Sequence, residues 1–79
     1  MMNFNRKFEQ TIDGQQVVFD VTYDPTTHHF HVLETGRETG YLLKYDMTTR
    51  VWSTEGDAQP TLPAEELATL VQKSFGHFV

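Results

Sequence analysis

Cysteine is absent from all 79 residues, which excludes a disulfide framework, a thiolate nucleophile and a cysteine-ligated zinc site. The fold must therefore rest on packing and backbone hydrogen bonds, an arrangement that suits a reducing, cytoplasmic setting. No apolar stretch approaches the ~20 residues of a membrane span, so no membrane insertion is expected. The start, Met1-Met2-Asn3-Phe4-Asn5-Arg6-Lys7, has no apolar run after its basic pair and does not read as a secretory signal. Positive charge is scarce as well: six basic residues stand against eleven acidic ones, for a formal net charge of -5. The six are scattered through the sequence and form no run, so a nucleic-acid partner is not expected. Glycine-rich phosphate loops are missing, because Gly36 and Gly40 bracket Arg-Glu-Thr, which fits neither a Walker loop nor a dinucleotide fingerprint. No nucleophile elbow surrounds Ser53 or Ser74, and no internal repeat, low-complexity tract or linker stands out.

What is present is a short chain, 1–79, of a size that fills one core and reads as a single small soluble domain. Its composition changes near Gly56. Before that point β-branched and aromatic residues come in short runs broken by turn residues; after it Ala, Glu and Leu recur at helical spacing. The expected fold class is α+β, an antiparallel five-stranded meander sheet with one C-terminal helix packed on one face.

Asp13-Gly14 is the strongest local signal, since this pair takes the positive φ values of a two-residue type I′ turn. The turn sets Ile12 opposite Gln15, Phe8 opposite Phe19 and Phe4 opposite Tyr23, and gathers the apolar residues on one face. Asp24-Pro25-Thr26-Thr27 marks the next turn. Pairing Tyr23 with His28 across it places Val21 opposite Phe30 and Phe19 opposite Val32. The other face then carries the rows Asn5, Thr22, His29; Lys7, Asp20, His31; and Glu9, Val18, Leu33.

Strands four and five are expected over Tyr41 to Asp46 and Arg50 to Thr54, around a turn at Met47 to Thr49. An even-residue loop there puts Tyr41, Leu43, Tyr45 and Trp52 on one face, and an odd one moves Trp52 across. Pro63 opens the helix, Glu65 and Glu66 sit at its positive end, and Gly76 stops it. Leu67, Leu70, Val71, Ser74, Phe75 and Phe78 make its sheet-facing stripe. The terminal Phe78-Val79 needs a docking surface on the sheet or on another subunit.

Two groups carry candidate chemistry. His29 and His31, with i, i+2 spacing on a strand and Asp20 expected across from His31, could share a metal ion. His77 is too far along the chain to complete that set. The competing account of the same residues is a solvated strand face with modest cross-strand charge contacts. His31 beside Asp20 also resembles an oriented base, but an open sheet face supplies no nucleophile, oxyanion donor or dry pocket. Tyr41, Tyr45 and Trp52 are the candidate binding residues: in the core they are packing, and at the surface they are rigid anchors for a partner. The functional expectation is a non-catalytic protein-binding or interaction module, with self-association through a sheet edge as one form of it. The alternative is a metal-binding protein or small enzyme using His29, His31 and Asp20. No cofactor is implied.

Overall fold

The structure, a computed structural model, describes residues 4–75. Five antiparallel strands lie in one open sheet in chain order: β1 (Asn5–Ile12), β2 (Gln15–Asp24), β3 (His29–Glu34), β4 (Tyr41–Asp46) and β5 (Val51–Gly56). The helix α1 (Ala64–Ser74) follows. The fold is thus the α+β meander with a C-terminal helix that the pattern predicts. Gly76, His77, Phe78 and Val79, where the sequence places a helix stop, a fourth imidazole and a docking terminus, lie outside the described residues. No helix among the described residues is long and apolar enough to cross a membrane.

The first hairpin has the expected register, from Ile12 opposite Gln15 to Arg6 opposite Val21. Asp13 and Gly14 have φ of 52° and 81°, as a type I′ turn requires. The amide of Tyr23 donates to the Phe4 carbonyl at 2.9 Å and continues the ladder.

The second hairpin is displaced by two residues from expectation. Tyr23 faces Phe30, Val21 faces Val32 and Asp24 faces His29, so His28 belongs to the loop and not to the strand. A four-residue loop, Pro25 to His28, replaces the tighter turn. Asp24 holds it by accepting the Thr26 amide on its side chain at 2.9 Å and the His28 amide on its carbonyl at 2.8 Å. His28 takes φ of 62° to bring the chain back. A displacement of two leaves every side chain on its expected face but changes its neighbours.

The hairpin of β4 and β5 repeats the second. Asp46 faces Val51, its side chain accepts the Thr48 and Thr49 amides, its carbonyl accepts the Arg50 amide, and Arg50 has φ of 60°. Tyr23-Asp24-Pro25-Thr26-Thr27-His28 and Tyr45-Asp46-Met47-Thr48-Thr49-Arg50 are therefore one motif used twice, a short repeat that composition and low-complexity criteria do not detect. Each copy ends on an aromatic pair. Tyr23–Phe30 and Tyr45–Trp52 both have ring centroids 5.0 Å apart, with interplanar angles of 50° and 46°. The loop is even, so Tyr41, Leu43, Tyr45 and Trp52 share a face.

The core forms where this face meets α1. Phe19, Val21, Leu43, Leu67 and Val71 are fully buried, and Phe30 and Val32 nearly so. Burial of such side chains contributes about 1.5–3 kcal/mol each. The helix crosses the sheet from β5 toward β1. At its first turn the Glu65 carboxylate accepts the Trp52 amide at 3.2 Å, and past its end Phe75 packs edge-on to Phe30 and under the Arg6 guanidinium. Pro63 stands immediately before the helix in extended conformation, and its carbonyl accepts the Leu67 amide at 2.9 Å. Glu65 and Glu66 favour this end through the helix dipole.

One buried residue among the described residues is charged. Glu34 lies at the inward position two residues after Val32 and is 3% exposed. Its Oε2 accepts the Tyr41 hydroxyl at 2.5 Å and the Thr61 amide at 3.1 Å. This ties the connection before α1 to the end of β3.

Candidate functional site

Because the helix covers only the inner face, the outer face of the sheet remains uncovered among the described residues. Period-two alternation decides what it presents: Val18, Asp20, Thr22 and Asp24 from β2, His29, His31 and Leu33 from β3, and Leu42 and Lys44 from β4. Between β2, β3, β4 and the end of β5 the face sinks into an open depression of about 580 Å3. Leu33 and Leu42 supply apolar surface, Thr22 and His31 supply polar side chains, and Asp20, Glu55 and Asp57 supply carboxylates. Leu33 is 43% exposed, although it is a leucine at the middle of a sheet.

Two glycines shape the wall. A Cβ on Gly40 would collide with the Val32 carbonyl oxygen, and one on Gly56, at φ 147°, would sit 2.9 Å from the Tyr41 Cα. Glycine at these positions lets the backbone approach closely where the depression turns from β4 to β5.

The carboxylates are partly compensated. Asp20 accepts the Asn5 side-chain amide at 2.6 Å and stands 4.0 Å from the Lys7 ammonium. Glu55 accepts Lys44 at 3.2 Å, and Asp57 completes a surplus of negative charge around the apolar floor. Such exposed pairs contribute about 0–1 kcal/mol each and exchange readily for other partners.

The register corrects the expected histidine row. Asp20 faces Leu33, not His31; His31 faces Thr22, and His29 faces Asp24. The rows across strands one to three are Asn5, Thr22, His31 and Lys7, Asp20, Leu33, with Thr35 in place of Leu33 beside Val18. His31 Nε2 lies 3.9 Å from Asp24 Oδ2. The carboxyl of Asp24 is held below its ordinary value first by the Thr26 amide bond and further by the charge of His31. His28 sits apart in the loop, its Nδ1 2.8 Å from the Tyr23 hydroxyl. No three His, Asp or Glu side chains among the described residues gather as a metal-binding group.

The aromatic candidates divide. Tyr41 is 4% exposed and its hydroxyl is committed to Glu34, so its side chain is core. Burial, then the bond to Glu34 and that residue's charge, raise the Tyr41 phenol well above the ordinary tyrosine range. Trp52 is half-buried against Phe30, while Tyr45 is 37% exposed at the rim beside the exposed Met47. The outer-face depression was not among the sequence candidates. Its signal was the alternation that turns Leu33 and Leu42 away from the core, legible once strand faces are assigned. Compared with family models, with curated proteins and with solved structures, this chain matches none.

Proposed function

We propose that this chain is a non-catalytic protein-binding module that takes a basic, partly apolar segment of a partner protein on the open face of its sheet. The observation that carries this reading is the depression itself, an uncovered apolar floor of Leu33 and Leu42 rimmed by Asp20, Glu55 and Asp57. An apolar patch left open on so small a sheet is surface that a partner can desolvate. The carboxylate rim selects lysine or arginine, whose aliphatic stems cover the floor while their charged ends reach the rim. The overall charge of -5 attracts the same partners at long range and repels nucleic acid. A cytoplasmic setting suits a chain without cysteine.

Amide-resolved NMR titration with a short peptide of alternating lysine and leucine tests the reading, with the glutamate–leucine counterpart as control. Salt-sensitive shifts centred on Leu33, Leu42 and Glu55, weakened by Asp20→Asn and Glu55→Gln and absent with the acidic peptide, are the expected result. Shifts confined to Tyr45, Met47 and Trp52 would move the site to the aromatic rim. Equal response to both peptides would remove the proposal.

A further inference from the structure

The sheet has two outer strands, β1 and β5, and they differ. At β5 the Trp52 amide is taken by Glu65. Among the described residues β1 pairs with β2 alone. The two-residue turn makes Ile12 and Gln15 a hydrogen-bonded pair, so even-numbered β1 residues bond to β2 and odd-numbered ones direct their backbone groups outward. The Phe4 carbonyl, which accepts Tyr23, confirms this parity. Lys7, Glu9 and Thr11 therefore present amides and carbonyls along an eight-residue strand with no proline or bulge to blunt it.

The side chains of β1 are symmetric in kind about Phe8. On the inner face Phe4, Arg6, Phe8, Gln10 and Ile12 read apolar, polar, apolar, polar, apolar. On the outer face Lys7 and Glu9 flank the same centre with opposite charge. We propose that this edge pairs with itself: two copies add their β1 strands antiparallel about a two-fold axis at Phe8.

In that register Phe4 lies opposite Ile12 of the second copy, Phe8 opposite Phe8 and Arg6 opposite Gln10. Lys7 and Glu9 form two opposite-charge pairs, both at positions whose backbone groups face the partner. Moving the axis to Lys7 or to Glu9 sets like charges directly opposite and places Phe8 against Arg6 or Gln10, which is unfavourable on both faces. Phe4, Phe8 and Ile12 are only half-buried in one copy, and Phe8 already stacks on Phe19 at 5.1 Å, so the pairing covers apolar surface that the single chain leaves in part to water. The Lys7 side chain is 64% exposed and its distance to Asp20 is 4.0 Å, so it is free to turn to a second copy. This inference concerns a strand edge and does not depend on the depression.

Sedimentation equilibrium of the full chain tests it. A concentration-dependent dimer is expected by about 1 mM, since one strand pair buries a small interface. Lys7→Glu and Glu9→Lys each put like charges opposite one another and should weaken self-association about tenfold or more. Mixed in equal amounts, the two variants should associate with each other, and the double exchange K7E/E9K should dimerise as the wild type does. Amide fingerprints of each variant confirm the unchanged fold, both side chains being exposed. A wild type that stays monomeric at all concentrations overturns the proposal. So does a dimer indifferent to both single exchanges, or single variants that fail to associate on mixing.

Discussion

Glu34 is the residue whose surroundings are most demanding. Its Oε2 holds two donors, the Tyr41 hydroxyl and the Thr61 amide, while Glu34 Oε1 and Thr61 Oγ1 are buried without a hydrogen bond among the described residues. Glu34→Ala strands both donors and should cost about 2–4 kcal/mol in urea unfolding, whereas Thr61→Val removes only an unpartnered hydroxyl and should be neutral or slightly stabilising. Tyr41 adds a pH dependence. Burial first, then Glu34, raises its phenol above the unfolded value near ~10, so in alkaline solution the folded state holds a proton that the unfolded chain releases. Stability is intact below about pH 10 and falls as the pH climbs beyond it. Tyr41→Phe should remove that component of the alkaline loss, at a cost of about 1–3 kcal/mol near neutrality. Chemical denaturation of both proteins across the alkaline range checks the slope and the offset together. The carboxylate was legible in principle, since counting by twos from Phe30 and Val32 reaches Glu34 on the inward face. Its acceptor role was not, because Thr61 is 27 residues further along the chain.

Among the elements, the hairpins show what local chemistry determines. Asp13-Gly14 admits one tight turn, and the register followed from it directly. Asp24-Pro25-Thr26-Thr27 is compatible with several loop lengths. The four-residue form wins because Asp24 satisfies two amides there and His28 tolerates positive φ. Faces were therefore readable throughout, and cross-strand neighbours only where the turn admits one length, which is why the expected His31–Asp20 contact is instead His31–Asp24. The recurrence of the loop at Asp46 to Arg50 permits a comparison. Arg50→Gly should raise stability by about 0.5–1 kcal/mol, the relief of left-handed strain outweighing the added freedom of the unfolded chain. His28→Gly should gain less, because it also forfeits the Tyr23 hydroxyl contact. Asp46→Ala, which removes the acceptor of two loop amides, should cost about 0.5–1.5 kcal/mol. Thermal unfolding of the three variants orders them.

For the molecule as a whole, the two faces of the sheet differ in what covers them. The inner face and α1 make the core, and the outer face contributes little to it. Leu67→Asp, at the centre of the helix stripe and fully buried, should cost about 4 kcal/mol or more and leave little folded protein. Leu33→Ser, on the open face, should change stability by less than about 1 kcal/mol while weakening capture of the basic peptide. Circular dichroism melts alongside the peptide titration separate these outcomes. A Leu33 variant that melts as drastically as the Leu67 variant would show that the outer leucine is structural.

The Glu65 carboxylate on the Trp52 amide also makes the two margins of the sheet unequal. A ribbon with two adhesive margins adds units at either side without end and ends in fibres. Here a helix carboxylate already holds one amide of the β5 margin, so an incoming strand finds one donor fewer there than along β1, and growth by that route is handicapped.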